Sequence, residues 1–230
     1  MIGDESAALD RNREYFRRLG LQPGPAGSAI DLGAGNGLQS IPLAELGFAV
    51  TAVDLCAPLL VELQEKAGAL PIRTVHEDLL SFLQRCTDPA DVVVCMGDTL
   101  THLDSLATVE ELIAESARRL APGGLLALTF RDYVSSELRG NARFIPVRGD
   151  ENQILTCFLE YHEGFVEVHD ILHRREDGRW SLAVSSYRKL RLGKAWLIDR
   201  LRAAGLEIVR DAVTNGMIDL VAGKSPLASP

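Results

Sequence analysis

The sequence predicts an α/β protein in which a parallel sheet carries helices on both faces and an antiparallel β-meander is inserted late in the chain. Short apolar runs alternate with helical patterns as far as Phe130. The segment "IDLGAGNG" at 30–37 puts three glycines directly after an apolar run, where a strand is expected to turn into a helix. After Phe130 the pattern changes, and strand-like segments follow one another with turns between them.

Helices and strands alternate regularly in the first part of the chain. A helix is predicted at 6–21, because Leu9, Tyr15 and Phe16 share one face and Gly20 is suited to end it. The later predicted strands are 29–32, 48–55, 72–79, 90–97 and 125–130, and the predicted helices are 38–47, 57–68 and 109–124. The run "ADVVVCMG" is β-branched without alternation, which indicates a strand covered on both faces.

The second part of the chain reads as a meander followed by a return to the main sheet. Its predicted strands are 154–161, 165–175 and 180–192, followed by a helix at 194–205 and a closing hairpin of 206–213 and 217–224. The predicted division has three parts. They are an N-terminal helix or cap at 1–28, a core at 29–133 and 191–224, and an inserted meander at 134–190 that serves as a substrate lid.

Composition indicates one large domain, or one domain with an elaboration. The chain has 230 residues, of which 47% are hydrophobic, and its net charge is −8. A chain of this size can bury a full core, and its negative charge argues against nucleic acid and anionic membranes as partners. No apolar run approaches the roughly 20 residues of a membrane span, and the polar start lacks the apolar stretch of a signal peptide. We therefore expect a cytoplasmic protein, and the sequence leaves monomer and homo-oligomer open.

Cysteine and histidine positions give no sign of a metal site. The four cysteines are scattered without a CxxC pair, which favours reduced thiols. His169 and His173 would share one strand face, but no third ligand accompanies them. We therefore expect no metal.

The glycine turn predicts a ligand that lies against bare main chain. Glycine costs backbone entropy, and ligands of open α/β sheets bind beyond the carboxyl ends of the strands, where this turn falls. A dinucleotide fingerprint would need a third glycine where Leu38 stands. Asp31, just before Gly33, would repel a phosphate and suits a ligand with a cationic amine.

Two further acidic residues follow neighbouring strands. Asp54 ends the second predicted strand, where its carboxylate suits both hydroxyls of a ribose. Asp78 follows the third strand and suits the amino group of an adenine. Each of these aspartates on its own could instead be a helix N-cap, but their joint placement with Asp31 describes S-adenosylmethionine well.

The motifs "DLGAGNG", "VTAVDL", "HEDL", "DVVVCMGDTLTHL" and "LAPGGLLALTF" resemble those of class I S-adenosylmethionine-dependent methyltransferases. The resemblance implies a Rossmann-like seven-stranded sheet whose last strand is antiparallel. It also implies an enzyme that uses S-adenosylmethionine. The cofactor-binding residues that it implies are Asp31, Gly33, Ala34, Gly35, Gly37, Asp54, Leu55, Asp78, Leu79, Met96 and Gly97.

A narrower resemblance links "CMGDTLTHL" and "FRDY" to glycine and sarcosine N-methyltransferases. It implies that Gly97, Asp98 and His102 border the sulfonium and the acceptor. It further implies that Arg131 holds a substrate carboxylate and that Tyr15 closes over the site. The implied activity is methyl transfer to a small molecule, with an amine nitrogen as the favoured acceptor.

Two positions depart from that narrower pattern, because Asp98 and Asp132 stand where those relatives carry asparagine. An ionised Asp98 disfavours a nearby carboxylate and favours a cationic amine, which makes glycine itself a poor candidate. A larger amine, or a substrate with well-separated charges, fits better. Asp98 or His102 could accept the amine proton, or the amine could bind neutral, and the sequence does not decide between these.

Other interpretations of the same residues stay open. His102 could cap a helix or pack beside the cofactor, and Arg131 could pair with Asp98 or Asp132. The acceptor could be an oxygen or sulfur of a small metabolite, or the protein could bind S-adenosylmethionine without turnover. An NAD-dependent enzyme is disfavoured by Leu38 and by Asp31.

Overall fold

The computed structural model describes residues 5–135, 137–214 and 216–226. The helices are α1 (Glu5–Arg18), α2 (Ser40–Glu45), α3 (Ala57–Ala67), α4 (Leu79–Arg85), α5 (Leu106–Arg119) and α6 (Lys194–Ala203). None of these helices is both long and apolar enough to cross a membrane.

Eleven described strands form two sheets. In the first part of the chain they are β1 (Ser28–Leu32), β2 (Ala49–Asp54), β3 (Ile72–His76), β4 (Ala90–Cys95) and β5 (Leu120–Phe130). In the second part they are β6 (Phe144–Gly149), β7 (Gln153–Tyr161), β8 (Phe165–Glu176), β9 (Arg179–Leu190), β10 (Leu206–Thr214) and β11 (Met217–Lys224).

The larger sheet has seven strands in the order β10-β11-β5-β4-β1-β2-β3. Strands β1 to β5 are parallel, whereas β11 runs antiparallel to both β5 and β10. The order reverses between β1 and β4, so the loops after these strands open side by side at the carboxyl edge. The predicted fold class is confirmed.

Apolar clusters cover both faces of the larger sheet. Helices α4, α5 and α6 pack on one face through buried residues such as Phe82, Leu112 and Leu197. Helices α1 and α2 pack on the other face through Phe16 and Leu43. All of β4 is buried, as its β-branched run predicts.

The smaller sheet is antiparallel, with the order β6-β7-β8-β9. Its β8 pairs with β7 on one side and with β9 on the other over most of its length. Tyr133 packs against this sheet with Leu159, Val166 and Val168. The sheet therefore has a small apolar core of its own, beside the carboxyl edge of the larger sheet.

Three local features differ from the sequence interpretation. Helix α4 was not expected, and it forms because Asp78 caps it by accepting a hydrogen bond from the Ser81 backbone N–H. Strand β6 was also not expected, since its apolar residues alternate over only six positions. Helix α5 ends at Arg119, before the predicted Pro-Gly-Gly turn, because Leu120 already pairs with Ala90 and begins β5.

Leu112 and Leu106 provide a matched test of the core on α5. Leu112→Ala should lower the free energy of unfolding by about 2–5 kcal/mol, because its fully buried side chain would leave a cavity. Leu106→Ala on the same helix should change it by no more than about 0.5 kcal/mol, since this leucine is largely exposed. Urea unfolding measures both values, and equal losses would contradict the assigned packing.

Candidate functional site

In the turn after β1, a side chain is excluded at some glycine positions by packing and is absent at another for a different reason. A Cβ on Gly33 would overlap the side chain of Thr99, and one on Gly37 would overlap Leu63. A Cβ on Gly35 would find no described atom closer than Leu59 Cδ1, at 3.9 Å. Internal packing therefore explains Gly33 and Gly37. Only Gly35 leaves bare main chain facing open space, where a ligand can lie.

Asp31 is 1% exposed, and its Oδ2 accepts a hydrogen bond of 2.6 Å from Ser40 Oγ. Burial raises the pKa of Asp31 to about 7, and the negative charge of Asp54 adds to this rise, whereas the Ser40 hydrogen bond opposes it. No lysine, arginine or histidine nitrogen of the described residues lies within 4 Å of its carboxylate. Asp31 is therefore an uncompensated acid directly beneath the glycine turn, and a cation bound above that turn would stabilise its charged form.

Asp54 holds the glycine turn against the end of β2. Its Oδ2 accepts a 2.8 Å hydrogen bond from the Gly35 N–H, and its Oδ1 accepts one of the same length from the Cys56 N–H. Leu55, the next residue, is 65% exposed and so offers an apolar surface to a ligand. Together these residues present carboxylate oxygens and an apolar surface at one loop tip, a combination that suits a ribose and an aromatic base.

Asp78 has the structural role that the sequence left open for it. Its Oδ1 accepts hydrogen bonds from Ser81 N at 2.9 Å and from Ser81 Oγ at 3.0 Å, which caps α4. Leu79 is buried behind it. The second carboxylate oxygen, Oδ2, has no described hydrogen-bond partner and can therefore accept from a ligand. A contact between Asp78 and an adenine amino group stays a prediction.

The chain makes a tight turn after β4 with two successive residues at positive φ. Gly97 has φ 71° and Asp98 has φ 78°, a conformation that costs a residue with a Cβ about 1–2 kcal/mol. The Gly97 N–H donates a 2.9 Å hydrogen bond to Thr129 Oγ1, and Met96 before it is buried. The turn places the Asp98 side chain inside the protein, where it is 3% exposed.

Asp98 binds a lysine that the sequence interpretation missed. Its Oδ2 lies 2.5 Å from Lys189 Nζ, and Lys189 comes from β9 of the smaller sheet. Its Oδ1 accepts a 2.8 Å hydrogen bond from the Arg131 N–H, and the Arg131 side chain lies 3.7 Å from Oδ2. The Tyr133 hydroxyl lies 3.5 Å from the same oxygen. A carboxylate so fully occupied is poorly placed to take a proton from an acceptor, so the structure disfavours that hypothesis for Asp98.

His102 ends a short 3-10 turn and stacks on Tyr187, with 5.5 Å between the ring centroids. Partial burial lowers the pKa of His102, and the positive charge of Lys189 lowers it further, although Asp98 acts in the opposite direction. The imidazole is therefore neutral at neutral pH and can accept a proton. The sequence could not place Tyr187 there, since it lies in the inserted sheet.

A cavity of about 650 Å³ separates the smaller sheet from the carboxyl edge of the larger one. Its walls are largely apolar, with Ile145, Leu155, Leu159 and Val168 among them. Its polar groups are Arg131, Asp132, Tyr187, Lys189 and Asp170, with the hydroxyls of Tyr133 and Tyr161 and the Cys157 thiol. The volume lies within the range of about 300–1,000 Å³ that small-molecule sites occupy.

Tyr15 attaches α1 to the last strand. Its hydroxyl donates a 2.7 Å hydrogen bond to Asp219, which is fully buried and also accepts from Arg210 and Thr214. Burial raises the pKa of Tyr15, so the phenol stays protonated. In this arrangement Tyr15 stabilises the helix, and its predicted closure over the site stays a prediction.

Comparison with known proteins shows which protein family and which relatives the chain resembles. Residues 29–124 match a family described as a methyltransferase domain. A glycine/sarcosine N-methyltransferase of Aphanothece halophytica is 34% identical over 122 residues, which are 52% of this chain and 46% of that protein. The chain thus spans about half the length of the curated relatives that it matches.

Solved structures agree over nearly the whole fold. An S-adenosylmethionine-dependent methyltransferase of Clostridium acetobutylicum aligns with a TM-score of 0.77 and 16% identity, covering 97% of this chain and 93% of that one. The CcbJ methyltransferase of Streptomyces caelestis aligns with a TM-score of 0.78 and 22% identity, covering 93% and 89%. At these identities the likeness establishes the fold.

The architecture is thus that of the class I methyltransferases. Within it, residues 29–124 carry the similarity to the family described as a methyltransferase domain. The predicted resemblance to S-adenosylmethionine-dependent methyltransferases is confirmed. The open surface over Gly35, the carboxylate of Asp54 and the buried charge of Asp31 fit a cationic nucleoside.

Asp31→Asn should change how stability depends on pH. Because the pKa of Asp31 is raised from 3.8 to about 7, the unfolded chain ionises first as the pH rises, and the folded state loses stability up to about pH 7. Between about pH 5 and about pH 8, the wild-type free energy of unfolding should fall by about 3 kcal/mol relative to that of the variant. Urea unfolding at several pH values measures this difference. The exposed Asp88→Asn should follow the wild type, and parallel curves for wild type and Asp31→Asn would contradict the argument.

Proposed function

We propose that the protein is an S-adenosylmethionine-dependent methyltransferase that methylates a nitrogen of a small organic amine. The observation that carries this proposal is the largely apolar cavity beside the β4 tip, lined by Arg131, Asp170, Tyr187 and Lys189. The similarity to glycine/sarcosine N-methyltransferases supports nitrogen as the acceptor atom.

The proposed cofactor site extends over the tips of β1, β2, β3 and β4. Gly35 offers bare main chain, Asp54 would accept from the ribose hydroxyls, and Leu55 would cover one face of the base. Asp78 and Leu79 would border the edge of the base, while Met96 and Gly97 would be the residues near the sulfur. When bound, S-adenosylmethionine supplies a methyl carbon already activated for attack by its positively charged sulfur.

The protein's contribution to the reaction is mainly positioning and proton removal. Holding an acceptor in line with the methyl group can supply about 7–11 kcal/mol of the barrier. An amine with a pKa of about 10 needs about 4 kcal/mol to lose its proton at neutral pH. His102 is neutral and stacks on Tyr187, which lines the cavity, so we assign to His102 the role of accepting that proton.

Arg131 is proposed to bind an anionic end of the acceptor. Its backbone N–H is used by Asp98, but its side chain is 45% exposed, lines the cavity and lies 3.7 Å from the nearest Asp98 oxygen. The guanidinium therefore has donors left for a carboxylate. A cavity of about 650 Å³ favours an acceptor larger than glycine.

We also propose that 134–190 acts as a lid over the core at 29–133 and 191–224, with 1–28 as a cap. The Lys189–Asp98 pair supports this division, because it joins the inserted sheet to the β4 tip directly at the cavity. Tyr15 would then close the site from the cap if its hydrogen bond to Asp219 opens.

A turnover screen tests the proposal. The full-length protein is incubated with S-adenosylmethionine and separate panels of amines, alcohols, phenols and thiols, and S-adenosylhomocysteine is measured. Turnover of amines supports the proposal, whereas turnover of phenols, alcohols or thiols alone would identify an O- or S-methyltransferase. Tight binding of the cofactor with no turnover in any panel would favour a protein that binds S-adenosylmethionine without catalysis.

Asp54→Asn should weaken S-adenosylhomocysteine binding by about 1–3 kcal/mol, because a carboxylate that accepts from the ribose is replaced by a weaker acceptor. Isothermal titration calorimetry measures the change. Asp88→Asn, which removes the same charge at an exposed position away from the carboxyl edge, serves as the control. Unchanged affinity in Asp54→Asn would remove Asp54 from the cofactor site.

Arg131→Ala should raise the KM for an amine that also carries a carboxylate by about 10-fold or more, since a charged hydrogen bond is lost. The affinity for S-adenosylhomocysteine should stay within about twofold, because the proposed contact is with the acceptor. Arg148→Ala, at an exposed position of β6, is the matched control. An equal loss of both affinities would show that Arg131 is structural.

A further inference from the structure

The cavity-facing side of the inserted sheet carries a carboxylate with no assigned role. Because side chains alternate along a strand, Val168, Asp170 and Leu172 of β8 share one face. Asp170 is paired with Cys157 on β7 and with Ser185 on β9. The apolar rows above and below it, formed by Val168 with Leu159 and by Leu172 with Leu155, surround it with hydrocarbon. Asp170 is therefore a single acid set in an apolar wall.

No cation within the described part of the chain neutralises Asp170. No lysine, arginine or histidine nitrogen of these residues lies within 4 Å of its carboxylate, and the one hydrogen bond it accepts comes from Cys157 Sγ at 2.9 Å. Of the two basic groups that line the cavity, Lys189 is paired with Asp98, and the Arg131 side chain lies 3.7 Å from Asp98. This distinguishes Asp170 from Asp98, whose charge is fully matched.

The immediate neighbours of Asp170 are neutral. Burial raises the pKa of Cys157 to about 11 and that of Tyr187 to about 12, and the negative charge of Asp170 contributes to both shifts. A thiol and a phenol can donate hydrogen bonds to Asp170 but cannot cancel its charge. A partly buried charge without a counterion is costly, so a positively charged ligand group would be bound favourably here.

The two charged positions on this face lie well apart. Asp170 is opposite Ser185, and Lys189 follows four residues later on β9, about 13 Å away along the strand at a rise of about 3.3 Å per residue. Tyr187, which stacks on His102, lies between these two rows. The cavity thus has an acidic end at Asp170 and a basic end at Arg131 and Lys189, with apolar walls between.

We infer that Asp170 is a specificity-determining residue that binds a positively charged ammonium group of the acceptor. The inference rests on the proposed methylation of a small amine. It adds that the acceptor carries, besides the nitrogen that is methylated near the β4 tip, an ammonium group on an apolar body, and that an anionic group, where present, lies at the end of the cavity opposite Asp170. Asp170, and not Asp98, supplies the negative charge that recognises the acceptor.

Binding of two probes of the same shape tests the inference directly. Phenethylammonium and its neutral counterpart 2-phenylethanol are titrated into the full-length protein saturated with S-adenosylhomocysteine. The wild type should prefer the ammonium. Asp170→Asn should weaken ammonium binding by about 10- to 100-fold, because a charge-assisted hydrogen bond is lost, while the affinity for the alcohol should stay within about twofold.

Glu160→Gln is the matched control, since it removes the same charge from β7 on the opposite face of the same sheet. It should leave both affinities unchanged. Asp170→Glu, which keeps the charge, should recover part of the ammonium preference. Thermal unfolding of each variant confirms that it is folded.

Kinetics with the best amine of the screen gives a second readout. Asp170→Asn should raise the KM by about 10-fold or more and change kcat by less than about threefold, since binding and not chemistry is affected. A wild type that does not prefer the ammonium probe, or an Asp170→Asn variant that binds it equally well, overturns the inference. Both outcomes are compatible with amine turnover in the screen, so the inference can fail while the proposed function stands. Absence of amine turnover overturns the proposed function, whatever the probes show.

Discussion

The buried ion pair between Asp98 and Lys189 is the contact on which the arrangement of the site depends. It joins the tip of β4 to β9 of the inserted sheet, across 91 positions of sequence. Both side chains are at most 10% exposed, so each charge relies on the other. Removing one partner of a buried pair typically costs about 3–5 kcal/mol, whereas the pair itself adds little net stability. Its effect is therefore on geometry, because it determines where the inserted sheet sits relative to the β4 tip and so shapes the cavity between them.

The positive φ of Asp98 belongs to the same arrangement. A residue with a Cβ rarely adopts this conformation, and here it turns the carboxylate inward to Lys189 and to the Arg131 backbone. Strain of this kind persists where surrounding contacts determine it. The turn at Asp98, the Lys189 side chain and the Arg131 backbone are consequently held together by the same carboxylate.

Charge is distributed unevenly around the two halves of the site. On the proposed cofactor side, the negative charge of Asp54 adds to the burial that raises the pKa of Asp31, and Asp31 has no described cation near it. On the acceptor side, the charge of Asp98 is matched by Lys189, whereas no described lysine, arginine or histidine pairs with Asp170. Both halves therefore contain an acid that a cationic ligand would stabilise, which agrees with the proposed binding of a sulfonium and an amine.

Local sequence pattern determined the sheet, the glycine turn and the order of the acids at its edge. Runs such as "ADVVVCMG" and the segment before Gly33 specify their structure within a few residues, because burial and turn geometry act over that distance. The same reasoning could not separate the roles of the three glycines, since the neighbours that require Gly33 and Gly37, Thr99 and Leu63, come from other elements. It also missed α4 and β6, whose patterns are short.

Only the tertiary structure decided which charges meet. The sequence predicted Asp98, His102 and Arg131 as site residues. Lys189, Tyr187 and Asp170 lie on strands of the inserted sheet, and their spacing along the chain does not predict that they approach the β4 tip. Their contacts depend on how the two sheets pack, and packing distances cannot be read from spacing along the chain. The sequence by itself thus indicated the class of ligand that is proposed for the carboxyl edge. The three-dimensional arrangement decided that Asp98 is neutralised by Lys189 and that Asp170 is left with its charge facing the cavity.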